Sequence, residues 1–287
     1  MSPVTAARKA SASPLLLFAR QELTLALRSR WTQIFAVVFA ALALAVATSG
    51  YVLSGGHGVQ DFARTAVSLV QLVLLLVPLT SLVIGVLSLA PERGAAELIY
   101  SQPVSRRTIL FGKLLGLFEA LAAAQALGFG VAGYVIFTRS GEEGLGGFLL
   151  LVAGSLVMTA VFLGIAAILS AGAIGRRRSR ALALALVVWF VAVVLFDVAA
   201  LGLASLLRSG TASRVLTTAV LVNPVDAVRT GVMLGVDGTA AFGAASLAFL
   251  RFTGGPLGAG LLLGLSLLLW VVGPAWLASA RVGKVDV

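Results

Sequence analysis

Apolar residues occur along this chain in long uninterrupted runs that are separated by shorter polar segments. Six of the runs reach the roughly 20 residues that an α-helix needs to cross about 30 Å of hydrocarbon. They cover residues 34–53, 66–90, 114–137, 148–174, 181–207 and 257–280. Lipid cannot hydrogen-bond to exposed backbone, and the runs lack the alternation of barrel strands, so we predict helices. The predicted fold class is all-α: a polytopic membrane protein with six transmembrane helices.

The polar segments predict three further elements. Residues 15–30 place apolar side chains at helical spacing and predict an amphipathic interfacial helix, within a cytoplasmic tail that covers 1–33. Residues 91–113 predict a cytoplasmic helical element between spans two and three. Residues 208–256 predict short external helices between spans five and six, lying in or on the outer membrane face. The six-helix domain then covers 34–287.

Positive charge is distributed unevenly between the two sides of this topology. Six spans place both termini on one side, and cytoplasmic flanks of membrane proteins retain Lys and Arg. That side receives fifteen cations, and the opposite side receives the remaining six: Arg64, Arg139, Arg208, Arg214, Arg229 and Arg251. We therefore predict an inner-membrane protein with both termini in the cytoplasm. The net charge of +10 then reflects topology and does not indicate a nucleic-acid partner.

The composition of the chain excludes several kinds of functional site. Hydrophobic residues make up 60% of the chain, charged residues 11%, and the mean hydropathy is +1.07. With no Cys, one His and three Met, the chain cannot assemble a conventional metal site alone, and a copper path lined by soft ligands is not expected. Gly112-Lys113 is followed by Leu114, so a phosphate-binding Walker A turn is absent. We predict a non-enzymatic chain that binds no metal or cofactor.

The segment 91–113 combines helix signals with charge. Pro91 and Glu92 suit a helix start, and Pro103 disfavours helix at the preceding residue, so a short helix, a turn and a second helix are expected. Such a charged element below the membrane is a candidate contact for a partner protein. The candidate residues are Glu92, Arg93, Glu97, Pro103, Arg106 and Arg107.

The order of these residues resembles the permeases of the ABC-2 transporter family. In that family a Glu-Arg pair, a later Glu, a Pro-Val-Ser-Arg run and a Gly-Lys pair precede the third span, as they do here between Glu92 and Lys113. The resemblance implies that 91–113 couples to a cytoplasmic ATPase, which supplies ATP and Mg²⁺ sites on its own chain. It also implies a second copy of the permease.

The external segment adds a narrower resemblance. Asn223 suits a helix cap, Pro224 the first helical position and Asp226 the first turn, with Arg229 one turn later. This run and the later Asp237 to Gly243 are similar to the NosY branch of the family. That resemblance implies a NosF-like ATPase, a NosD-like external solenoid protein docked on Asn223, Pro224, Asp226 and Arg229, and maturation of the copper-sulfur centre of nitrous oxide reductase.

Two carboxylates inside apolar runs bear on the mechanism, because buried charge in a membrane is costly. Glu119 is expected just inside the inner boundary and Asp197 near the outer boundary. Either could line a path or serve only the structure. Two mechanisms remain open, export of a small molecule through the dimer or transmission of an ATP-driven change to the external partner. The alternative function is an ABC-2 exporter of a drug, lipid or glycan.

Overall fold

A computed structural model describes residues 13–53, 59–90, 104–140, 144–171, 177–237 and 249–282. These residues form helices and the turns between them, without a strand. Ten α-helices carry the following labels and bounds: α1 Pro14–Arg28, α2 Arg30–Leu53, α3 Val59–Leu89, α4 Arg106–Ser140, α5 Leu145–Ser170, α6 Arg178–Phe190, α7 Phe196–Ser205, α8 Ser209–Val222, α9 Pro224–Asp237 and α10 Pro256–Val282. The all-α membrane fold is confirmed.

Six helical segments of the described chain are long and apolar enough to cross a membrane, as predicted. They are α2, α3, α4, α5, α6 with α7, and α10. The third and fourth helices contain 31 and 35 residues, which correspond to about 47 and 53 Å at about 1.5 Å per residue. They begin earlier than the apolar runs because a hydrophobic run marks only the lipid-facing part of a helix, and backbone hydrogen bonds continue beyond it.

The described helix ends define two ends of the bundle. The start of α4 and the ends of α3, α5 and α10 meet in a small apolar cluster that contains Leu110, Ala167 and Ala278, and the start of α1 lies against the start of α4. We call this the inner end and the opposite one the outer end. The main core lies between α2, α3, α4 and α5, where the rings of Phe39, Phe129 and Phe148 meet edge to face.

The helix predicted over residues 15–30 is present as α1. Ala19, Glu22 and Ala26 are buried, whereas Leu16 and Leu27 are 55% and 43% exposed. The exposed leucines suit a helix lying against lipid. Alanines lie on the buried side because the backbones of α1 and α4 approach each other closely there.

The fifth span is not one regular helix. A π-helical turn, Val191–Leu195, joins α6 to α7, and the Phe196 N–H donates to the Val191 carbonyl five residues back. Below this turn α6 packs on α3, while above it α7 packs on α8. The turn therefore joins two halves of one span that have different neighbours.

The predicted short helices of the external segment are present as α8 and α9, but they do not lie flat on the outer face. The two helices meet at Asn223 with a bend of 100°. The Trp270 Nε1–H donates to the Val222 carbonyl oxygen at 3.0 Å, and Trp270 lies 14 residues into α10, about 21 Å from its outer end. The bend thus reaches the middle of the bundle, and α8 and α9 form a re-entrant hairpin. In the remainder of the external segment, 249–253 are helical and 238–248 lie outside the described residues.

Candidate functional site

The inner-end candidates fall into two groups. Glu92, Arg93, Glu97 and Pro103 lie outside the described residues. Arg106 and Arg107 open α4, as expected for the second helix of this element. The Ser105 Oγ accepts the Thr108 N–H at 3.1 Å, and the two hydroxyls are 2.7 Å apart. Such a cap stabilises a helix start by about 1 kcal/mol, so the chain enters α4 at a defined point.

Two cations from other spans hold the last turn of α3. The Arg178 Nη2 donates to the Leu87 carbonyl at 2.9 Å, and the Lys113 Nζ donates to the Ser88 carbonyl at 3.4 Å. The carbonyl end of a helix carries partial negative charge and favours cations. Arg178 belongs to a basic cluster in the sequence, formed by Arg176, Arg177, Arg178 and Arg180. Its contact with α3 spans 91 residues of sequence, and no local pattern could have revealed it.

Lys113 also contacts α1. Its Nζ lies 3.7 Å from Glu22 Oε2, and Glu22 is only 6% exposed. Burial raises the pKa of the Glu22 carboxyl above its ordinary 4.5, while the Lys113 ammonium and a hydrogen bond with Ser88 partly oppose the rise. Sequence analysis missed Glu22. The available signal was a carboxylate three residues after Ala19, on the same helical face.

Glycines in α4 allow this contact. A Cβ added to Gly116 would overlap the Ala19 carbonyl oxygen, and one added to Gly112 would lie 2.6 Å from the Phe18 Cβ. The backbones of α1 and α4 therefore touch along this four-residue repeat, as at other small-residue helix crossings in membranes. Together, α1, α4, α6 and the end of α3 form one inner junction, defined here by Glu22, Lys113, Gly116, Arg178 and the Leu87 and Ser88 carbonyls.

We expect Gly116→Ala to lower the thermal unfolding temperature of the detergent-purified chain, because the new methyl group separates α1 from α4. Gly130→Ala is the matched control. Gly130 lies in the same helix with open space around it, so alanine should gain up to about 1 kcal/mol of helix propensity. Equal shifts in both variants would show that the close approach at Gly116 carries no stability.

The outer-end candidates lie together on the re-entrant hairpin. Asn223 caps α9 as predicted, since its Oδ1 accepts the Val225 N–H at 3.1 Å. Pro224 occupies the first helical position. The Asn223 Nδ2 donates to Asp226 Oδ2 at 3.1 Å and to the Ala192 carbonyl of the π-turn at 2.8 Å. The cap residue therefore also ties the hairpin to the fifth span.

Arg229 brings two carboxylates together. Its Nη1 lies 2.7 Å from Asp197 Oδ2 and 3.0 Å from Asp226 Oδ1. We call Asp197, Asn223, Asp226 and Arg229 the outer polar cluster. Asp197 was predicted as an intramembrane carboxylate near the outer boundary, and the structure joins it to residues that were predicted to dock a partner. One guanidinium serving two carboxylates stabilises both, because unpaired charge in this environment is costly.

Burial of this cluster bears on the docking prediction. Asn223 is 3% and Asp226 6% exposed, and Pro224 is buried as well. The side chains face neighbouring helices and offer little surface to another protein. Their placement supports an internal structural role, and contact of this segment with an external partner stays a prediction.

The remaining intramembrane candidate, Glu119, differs in its surroundings from Gln125, another polar residue of α4. Glu119 is exposed on α4. Gln125 is 1% exposed and bridges α4 to α5, donating from Nε2 to Thr159 Oγ1 at 2.7 Å and accepting from Ser155 Oγ. Such bonds hold helices together in lipid. Within the described residues, no three His, Cys, Asp or Glu side chains converge as metal ligands would.

The chain matches known proteins over nearly its whole length. Residues 16–287 fit the model of a family described as ABC-2 family transporter protein. The "Probable ABC transporter permease protein NosY" of Pseudomonas aeruginosa is 34% identical over 236 residues, which cover 80% of this chain and 85% of the relative. The protein of the same name from Stutzerimonas stutzeri is 34% identical over 239 residues, with the same coverage.

Proposed function

The chain belongs to the ABC-2 transporter family, and we propose that it couples a separate cytoplasmic ATPase to conformational change across the membrane. It is the permease component of an ABC transporter, and ATP hydrolysis takes place on the partner. The proposed ATPase contact is the segment 91–113, with Glu92, Arg93, Glu97, Pro103, Arg106 and Arg107. The inner side of the bundle then faces the cytoplasm, and the chain resides in the inner membrane with both termini inside.

The inner junction is the observation that carries this proposal. The segment 91–103 leaves α3 directly after carbonyls that Arg178 and Lys113 hold, and it enters α4 at the Ser105 cap. A force applied to the segment therefore reaches α3, α4, α6 and, through Glu22, α1. Rigid connections to four helices are what a coupling element requires, since helices transmit displacement along their length with little loss.

The similarity to NosY permeases supports a finer proposal. The chain serves with a NosF-like ATPase and a NosD-like external solenoid protein in maturation of the copper-sulfur centre of nitrous oxide reductase. The sequence provides no Cys and a single His, so copper itself is not the expected cargo. The machine transmits an ATP-driven change to the external partner or moves a small non-metal species.

A second copy of the chain is part of the proposal. In the fifth and sixth spans, only 11% and 17% of the most apolar stretch is buried within one chain. Leucines such as Leu201, Leu261 and Leu269 are more than 60% exposed. Lipid and a second copy together would cover these faces.

Purification of the tagged chain from its native cells in mild detergent, with mass spectrometry of bound proteins, tests the proposal. Recovery of an ATPase with an external solenoid protein supports the maturation role. An ATPase alone favours the alternative, an exporter of a drug, lipid or glycan. Absence of any ATPase contradicts both.

We expect Glu92→Ala with Arg93→Ala to reduce ATPase recovery severalfold while the chain still inserts in the membrane, because charge at the proposed contact is lost. Arg214→Ala is the control, the loss of a charge at the exposed surface of α8. ATPase recovery that is unchanged in the double variant would remove these two residues from the contact.

A further inference from the structure

The two halves of the fifth span are held by different parts of the molecule. At the inner end Arg178 donates to the Leu87 carbonyl, and just below the π-turn the Trp189 Nε1–H donates to the Leu75 carbonyl at 3.0 Å. Both contacts tie α6 to α3. Above the turn, α7 packs on α8 of the re-entrant hairpin. The rotation of α7 relative to α6 is therefore set at residues 191–195.

The outer polar cluster depends on that rotation. The Asn223 amide donates to the Ala192 carbonyl within the π-turn, and Arg229 pairs with Asp197, the second residue of α7. A π-turn contains one more residue than the α-helical turn it replaces, and such turns occur often at functional sites. Conversion to α-helix advances the following residues by one position, which is about 100° of rotation and about 1.5 Å of rise.

We propose that the π-turn Val191–Leu195 is a register switch that latches and releases the re-entrant hairpin. In the latched register, Asn223 holds the Ala192 carbonyl and Asp197 pairs with Arg229. In the released register the turn is α-helical, α7 is rotated, and Asp197 points away from Arg229. The switch links α3 and the inner junction to the outer half of the bundle. Its control by an ATPase rests on the proposed function.

The geometry gives the switch two discrete states. The turn is either π-helical or α-helical, because a conformation between the two would lack the backbone hydrogen bonds of both. Leaving the latched register costs the Asn223 bond and the Arg229 contact with Asp197. It also restores regular helical bonding. Terms that oppose each other in this way are what a bistable element requires.

Cysteine labelling tests the proposal directly, because the chain contains no Cys. Ala204 is 8% exposed in the latched register and lies one residue from the end of α7. Rotation of α7 would expose it. In the Ala204→Cys chain, reconstituted with its ATPase, a charged maleimide should react slowly without nucleotide and severalfold faster with ATP. Leu206→Cys, at a position 83% exposed in the following turn, should react rapidly under both conditions.

Two further changes, each made in the Ala204→Cys chain, separate a switch from a passive bend. Asn223→Ala removes the donor to the π-turn and should speed maleimide labelling severalfold without nucleotide. Ser266→Ala is the control, because it removes a hydrogen bond to the hairpin at the Leu221 carbonyl without touching the π-turn. Deletion of Val193 removes the additional residue of the π-turn. The span then becomes α-helical, and α7 keeps the rotation that it has in the latched register. That variant should stay unreactive with and without ATP.

Each outcome decides a part of the proposal. Slow labelling in Asn223→Ala, or unchanged ATP-dependent labelling after deletion of Val193, overturns the register switch. If the deletion variant does not fold, the comparison of Asn223→Ala with Ser266→Ala decides alone. A response to Asn223→Ala without any response to ATP supports the switch and contradicts instead its coupling to the ATPase.

Discussion

Arg229→Met is expected to lower the free energy of unfolding by about 3 kcal/mol, because it leaves two neighbouring carboxylates without their shared cation. The figure is at the low end for a broken buried pair, since the Arg229 side chain is 25% exposed. Asp197 and Asp226 would then repel each other inside the bundle. Methionine keeps most of the volume of the arginine stem, so the loss reports charge more than packing.

Thermal and denaturant unfolding in detergent would measure this effect. Arg214→Met is the matched control, an exposed arginine on α8 whose loss should change stability by less than about 0.5 kcal/mol. Adding Asp197→Asn to Arg229→Met should restore part of the stability, because one uncompensated charge disappears. If the double variant is no more stable than Arg229→Met alone, charge imbalance is not the cause of the loss.

The second large effect is expected for Lys113→Met, which should lower the free energy of unfolding by an amount that depends on pH. The ammonium pairs with the buried Glu22 carboxylate and caps α3, so its loss should cost about 2 kcal/mol near neutral pH. Without Lys113, only the hydrogen bond with Ser88 still opposes the effect of burial on Glu22, and the pKa of Glu22 lies further above 4.5.

The direction of the pH dependence follows from linkage. A carboxyl with a higher pKa in the folded state binds more protons there than in the unfolded chain. The free energy of unfolding therefore decreases as pH rises from about 4.5 towards the folded-state pKa. Lys113→Met should recover part of its stability at acidic pH, relative to wild type at the same pH.

Unfolding temperatures of wild type and Lys113→Met across this pH range would check the prediction. Glu22→Gln in the Lys113→Met background should abolish the additional pH dependence, because the titrating group is gone. Arg20→Met, on the exposed side of α1, controls for loss of a cation near the same surface. A pH profile of Lys113→Met parallel to that of wild type would show that Lys113 does not act through Glu22.

The sequence by itself determined those features whose physical cause is local. Apolar runs of sufficient length identified all six spans, because transfer of a helix into lipid depends on its own residues. The Asn223 cap followed from a side chain and an N–H two residues apart. The family was recognisable between Glu92 and Lys113 for a similar reason, since the motif is contiguous in the chain.

Only the tertiary structure decided which polar groups meet. Asp197 and Arg229 are 32 residues apart, Lys113 and Ser88 are 25 apart, and Arg178 reaches a carbonyl 91 residues away. Hydropathy could not show that α8 and α9 turn inward, because an apolar helix suits both a membrane surface and a protein interior. The depth of that hairpin depends on the summed contacts with α5, α7 and α10. Such contacts depend on how all the helices pack together, and no local segment of the chain encodes them.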